Sequence, residues 1–195
     1  MGRKSKGRKL KKNIRIYCEG KTEKLYFDML SRKYNTSVSI KTFHVAKSGH
    51  KLIEHAIRDC ALFDKSSIEK KAIIFDKDEL DNEVIDSVVR MAINNDFLVG
   101  FSNINFEVWL LMHFQDVQHG YEKSVLNQKL EQYTGVQNYH ATKGSLEVVN
   151  QFEDYVNDAM LRGLRSGSLE RNNYTQNPYT NLTGIIETIY HQRIY

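Results

Sequence analysis

Five acidic residues of this sequence stand where the chain changes from strand to helix. Glu19 and Glu23 lie in IRIYCEGKTEKLYF (residues 14–27), Asp76 and Asp78 in FDKDEL, and Glu107 in SNINFE. Carboxylates without clustered Cys or His select a hard cation, Mg2+ or Mn2+. Such an ion keeps several waters and binds substrate phosphate oxygens beside one or two protein carboxylates, so it serves phosphoryl chemistry. Each acid also has an ordinary explanation. An Asp after a strand is usually a turn former, and a Glu in a first helical turn is usually a partner of the helix dipole. Taken together they favour a metal site only if the fold brings them to one place.

The elements that must do so are legible in the apolar periodicity. Residues 13–18, 38–45, 71–75 (KAIIF) and 97–101 (FLVGF) read as strands. Residues 22–33, 51–63 and 82–94 read as amphipathic helices between them. Strands alternating with helices imply βαβ units, hence a mainly parallel sheet with right-handed crossovers. In such a sheet ligands bind beyond the carboxyl ends of the strands. Glu19 follows the first strand, Asp76 and Asp78 the third, and Glu107 the fourth. In extended geometry residues i and i+2 point the same way, so Asp76 and Asp78 are expected to face one ion together. The remaining chain reads as helical over 106–114, 123–133, 145–162 and 181–191, with a long polar loop over 165–178. The expected organisation is a basic tail (1–12), an α/β domain with about four strands (13–105) and a helical extension packed on it (106–195).

Composition bounds the function classes. The 195 residues carry a net charge of +4, but residues 1–12 hold seven Lys or Arg and no acid. These are Arg3, Lys4, Lys6, Arg8, Lys9, Lys11 and Lys12; the rest of the chain has 21 basic and 24 acidic residues, a net charge of −3. The tail is therefore a candidate contact for nucleic-acid phosphates, with little sequence preference. No stretch of about 18 apolar residues exists, so no membrane span is expected, and no apolar segment follows the tail to make a secretory signal. Two cysteines, Cys18 and Cys60, stand 42 positions apart and fit a reducing, cytoplasmic setting better than a disulfide scaffold.

The constellation resembles a Toprim domain, with Glu19 after the first strand and Asp76-Lys77-Asp78 after the third. The blocks YCEGKTEKLYF, FDKDE, NINFEVWLLMHF and NPYTNL, spanning residues 17–182, further resemble the RloB-like family, grouped with Toprim proteins of prokaryotic defence loci. The resemblance extends to OLD-type Toprim nucleases, which use two divalent ions and a second Glu four residues after the first, here Glu23. It implies metal-dependent hydrolysis of nucleic acid in antiviral defence, beside an ATPase or restriction-system partner or in a homo-oligomer. It further implies that Glu19 and Glu23 bind metal, Glu19 also serving as general acid or base, and that Asp76 and Asp78 hold the principal Mg2+ or Mn2+. Glu79 and Glu107 would be second-ion ligands, and Lys143 in YHATKGS would neutralise the scissile phosphate. Lys77 is unusual where the family pattern is often small or aliphatic; it is expected to touch phosphate or point into solvent.

Other motifs carry less. Gly20-Lys21-Thr22 lacks the glycine a Walker loop needs five positions earlier, where Arg15 stands. His44, His50 and His55 read as surface residues, and His113 and Trp109 in WLLMHF as core. Tyr121, Tyr133, Tyr139 and Tyr155 read as packing residues more than as base-stacking platforms. Thr180 or Asn181 is expected to cap the last helix. A second class of function stays open: a non-catalytic nucleic-acid-binding or regulatory partner of a defence ATPase, with the acids as turn and cap residues. Nucleotidyl transfer is the third, disfavoured because no separate template-binding or zinc domain is evident.

Overall fold

The computed structural model describes residues 12–34 and 36–191. Residues 3–11 of the basic tail lie outside this range; Lys12 is described and exposed. The α/β unit runs β1 (Asn13–Cys18), α1 (Lys21–Tyr34), β2 (Ser39–His44), α2 (Gly49–Cys60), β3 (Ile68–Asp76), α3 (Asn82–Asn94) and β4 (Leu98–Asn103). After it come α4 (Glu107–Leu111), α5 (Lys123–Thr134), α6 (Tyr139–Thr142), α7 (Leu146–Asn150), α8 (Val156–Gly163), α9 (Arg171–Tyr174), β5 (Tyr179–Thr180) and α10 (Leu182–Tyr190). Among the described residues no helix is long and apolar enough to cross a membrane.

The sheet has the order β2-β1-β3-β4-β5. Strands β1 to β4 pair in parallel, and β5 pairs antiparallel to β4. The chain steps from β1 outward to β2, then returns past β1 to β3, so the order reverses between β1 and β3. That reversal opens a crevice at the carboxyl ends of these two strands. Both sheet faces are covered, as a parallel sheet requires. Ile14, Ile16, Ala72 and Ile74 face α1 and the helices after α3, while Tyr17, Ile73, Phe75 and Phe101 face α2 and α3. Period-two alternation along each strand thus divides the molecule into two cores. Arg15, a charged residue in buried β1, is tolerated because its guanidinium bonds the Asp59 carboxylate and lies against the rings of Phe43 and Phe63.

The loop expected over 165–178 contains the short helix α9, whose Tyr174 is buried, and three further differences from the sequence expectation have physical causes. The helix expected over 145–162 is broken: a 3-10 turn at Glu153–Tyr155 separates α7 from α8. The buried residues Val148, Val149, Phe152, Val156, Ala159 and Met160 keep one stripe, because steps of three and four suit both helix types. The break lets α7 lean on α1 while α8 packs on α4 and α10. The helix expected over 106–114 stops at Leu111. Arg162 donates to the carbonyls of Met112 (2.6 Å) and His113 (2.9 Å), satisfying groups that a helix end leaves open. A fifth strand, too short to alternate visibly, joins the sheet from the C-terminal half. There Asn181 does not cap α10 with its side chain. Its amide instead accepts from the Phe101 N–H (2.8 Å) and donates to the Val99 carbonyl (2.7 Å), extending the edge of β4. Thr180 Oγ1 takes the Leu182 N–H at 3.4 Å.

Helices α8, α10 and α4 meet closely at Gly163, where a Cβ would lie 2.3 Å from Thr183 Oγ1 and 3.0 Å from the Trp109 ring. Gly163→Ala is expected to cost about 1–3 kcal/mol by overpacking. Thr183→Ala should recover part of that loss, seen as positive coupling in a double-mutant cycle of thermal melts.

Candidate metal centre at the sheet switch point

The crevice between β1 and β3 is a cleft of about 510 Å3. Glu19, Glu23, Asp76, Asp78, Glu107 and Lys143 all line it. Glu19 follows β1 directly, its backbone N–H bonded to the Ile74 carbonyl at 3.0 Å. Glu23 lies in the first turn of α1 and is buried. Asp76 ends β3, and Glu107 opens α4. Glu79 does not join them: its side chain is 92% exposed and bonds Lys123 at 2.9 Å, because the chain turns outward after Asp78.

Asp76 and Asp78 reach the cleft by a route other than extended geometry. The strand ends at Asp76, and Asp78 adopts a left-handed conformation (φ 41°) that Asp tolerates better than most residues. Backbone bonds from Lys77 to the Ser102 carbonyl (2.9 Å) and from Asp78 to the Ile104 carbonyl (3.0 Å) hold this turn against the end of β4. Lys77 does not line the cleft; it is half-buried, and its ammonium donates to the Leu80 carbonyl and to Asn82, both at 3.1 Å. One Asp76 oxygen accepts the Phe106 N–H at 2.9 Å, which ties β3 to the start of α4.

The remaining wall comes from the helical half. Lys143 donates to Glu107 at 2.5 Å, and Lys123 lies 3.0 Å from Asp78. Asn105, Asn127 and His140 also line the cleft. Sequence reasoning missed these three and Lys123. Asn105, a polar residue inside the apolar NINFEVW run, carried a readable signal; Lys123, Asn127 and His140 did not, since helix packing alone brings them near. Elsewhere, His50 bonds Ser87 at 2.9 Å, and His113 is buried between Tyr26 and the carbonyls of Trp109 and Leu110. Burial drives the His113 pKa down to about 3, despite those carbonyls. Tyr139 is buried, while Tyr133 stacks on Phe114 with ring centroids 5.0 Å apart.

Crowding of like charges in a desolvated cleft sets the electrostatics. Burial first, then the charges of Asp78 and Glu23, raise the Glu19 pKa to about 7. Burial and Glu107 raise Glu23 to about 7, with Lys143 opposing. Asp76 is pushed well above the carboxylate range by burial, then by Glu23, Glu107 and Asp78. Burial works against the Lys143 ammonium, but Glu107, Glu23 and Asp76 outweigh it and raise its pKa.

A hard divalent cation fits this donor set. Glu19 Oε2, Asp76 Oδ1 and Asn105 Oδ1 are buried acceptors with no hydrogen-bond donor, and all belong to cleft residues. Among the described residues no group of three or more His, Cys, Asp or Glu is arranged so that it could hold a metal ion. A cation here would therefore take one or two protein carboxylates and complete its shell with water or phosphate oxygens, as Mg2+ commonly does.

Raised carboxylate pKa values mean that the folded state holds more protons than the unfolded state between about 4.5 and about 7. Stability without metal is therefore expected to fall as pH rises through that window, read as a Tm decline in EDTA. Asp76→Asn keeps the bond from Phe106 and removes a group whose ionisation burial and its acidic neighbours oppose, so it should raise Tm at pH 8 in EDTA while abolishing the Tm gain from Mn2+. Gly20 stands so close to Glu23 that a Cβ would lie 2.2 Å from Oε2 and 2.7 Å from Oε1. Gly20→Ala should displace that carboxylate and weaken Mn2+ binding about tenfold in calorimetry, with the far-UV circular dichroism unchanged.

No curated protein and no solved structure matches the chain. The family model described as RloB-like protein matches residues 14–189, from the first strand to the last helix and across every cleft residue. The chain belongs to the RloB-like family.

Proposed function

We propose that this protein hydrolyses phosphodiester bonds of nucleic acid with Mg2+ or Mn2+, as a nuclease of prokaryotic antiviral defence. The observation that carries the proposal is the gathering of Glu19, Glu23, Asp76, Asp78 and Glu107, from three strand ends, in one cleft with Lys143. The Toprim and OLD-type likeness of the same residues supports it. Asp76 and Asp78 would hold the principal ion, and Glu23 and Glu107 a second. A bound cation supplies Lewis-acid polarisation of the phosphate and lowers the pKa of its water. Glu19, which lines the same cleft, would accept the proton of the attacking water, and the displaced alkoxide oxygen would take a proton from solvent. Lys143 moves from Glu107 toward the phosphate and neutralises charge as it develops. The free, buried thiols of Cys18 and Cys60 suit a reducing interior, so we place the activity in the cytoplasm. The basic tail would raise the encounter rate with a polyanion.

A second reading has its own support: Lys143 and Lys123 already pair with Glu107 and Asp78. In that reading the cleft is a metal-free element of a regulatory partner for a defence ATPase.

The test is incubation of purified protein with plasmid DNA, single-stranded DNA and tRNA, in Mn2+ or EDTA, beside the Asp76→Ala/Asp78→Ala variant. Cutting in Mn2+ that disappears in the variant is expected, a loss of at least a hundredfold. Absence of both cutting and calorimetric Mn2+ binding in the wild type would favour the regulatory reading.

A further inference from the structure

We infer that a nucleic-acid chain leaves the cleft over Lys21 and Gly144 and continues into a second groove. That groove is a subsite for nucleotides flanking the scissile phosphate, and the inference rests on the nuclease reading above. The groove is about 900 Å3 and shares the walls Lys21 and Gly144 with the 510 Å3 cleft, so the two concavities adjoin. Its lining differs sharply from the acidic cleft. Thr134, Gln137, Thr142, Ser145 and Gln151 supply uncharged hydroxyl and amide groups, and Glu147 is its one acid.

Lys21 stands at the junction. Lys143 and Lys123 are engaged by carboxylates, whereas Lys21 is exposed and has no side-chain partner among the described residues. A free ammonium between two adjoining hollows is placed for the phosphate next to the one being cut. Gln137 and Gln151 also lack side-chain partners among the described residues, so their amides are available to sugar and phosphate oxygens. The groove has no aromatic lining; it would grip the backbone without stacking bases and so with little sequence preference.

Gly144 adjoins Lys21 at the junction. A Cβ there would lie 3.5 Å from Lys21 Cδ, an ordinary contact, so a side chain is accommodated and a large one adds bulk beside Lys21.

The experiment compares full-length wild type with Lys21→Ala and Gly144→Leu, each checked for an unchanged thermal melt. Binding of a labelled single strand of about 20 nucleotides, longer than the ~4–16 a single fold covers, is followed by anisotropy in Ca2+. Cleavage in Mn2+ is measured on that strand and on bis(p-nitrophenyl) phosphate, which is too short to reach the groove. Both variants should bind the strand about 3–10-fold more weakly, and Lys21→Ala should lower the salt-dependence slope by about one. The loss of kcat/KM should be larger on the strand than on the small diester. Wild-type binding and slope in both variants, or equal losses on both substrates, would overturn the subsite. Lys21-dependent strand binding by a wild type that cuts neither substrate would sink the nuclease reading and leave the groove as a binding site.

Discussion

Like charges brought together away from water are the constraint around which this molecule is arranged. Two unit charges about 4 Å apart interact by roughly 4 kcal/mol at the effective dielectric of a protein surface, and burial adds a desolvation cost for each. Glu23, Asp76 and Glu107 are nearly inaccessible and share one cleft with Glu19 and Asp78. Such a cluster persists only if protons, cations or ammonium groups offset it. The structure supplies part of the compensation itself: Lys143 on Glu107, Lys123 on Asp78, and the Phe106 N–H on Asp76. Protons supply more, through carboxyl pKa values moved up to about 7.

This explains why the helical half is bound so tightly to the sheet. Lys123 and Lys143 are useful only if α5 and the segment after α6 stay opposite the strand ends. Strand β5 and the Asn181 amide lock the C-terminal segment to β4. The close approach at Gly163 seats α8 on α10. His113, buried and neutral, fills its hydrogen bonds between Tyr26 of α1 and the Trp109 and Leu110 carbonyls of α4. The core on that face runs continuously from β1 and α1 through α4 to α10, so displacement of the helices would open the cleft wall.

On the proposed reading, Glu107 and Asp78 would exchange Lys143 and Lys123 for a bound cation. The two ammonium groups would then be available to a phosphate in the same cleft.

Much of this was legible in the residues alone. The βαβ alternation placed β1 to β4 and α1 to α3 with boundaries shifted by a few residues, because apolar periodicity and secondary structure share one cause in burial. The position of Glu19, Asp76 and Glu107 at strand ends followed from the same pattern, and the carboxyl-end rule for parallel sheets pointed to a shared edge. What only the tertiary structure decided was which groups from distant segments complete that edge. Asp78 enters by a left-handed turn, Glu79 is carried outward, and Lys123, Asn127 and His140 arrive from helices whose local sequence carries no sign of a site. The two-residue strand β5 and the sheet-like pairing of Asn181 were equally hidden, since a segment that short has no period. Local pattern records which face of an element is buried; it holds no information about which distant side chain meets it, because that is set by packing across the whole chain.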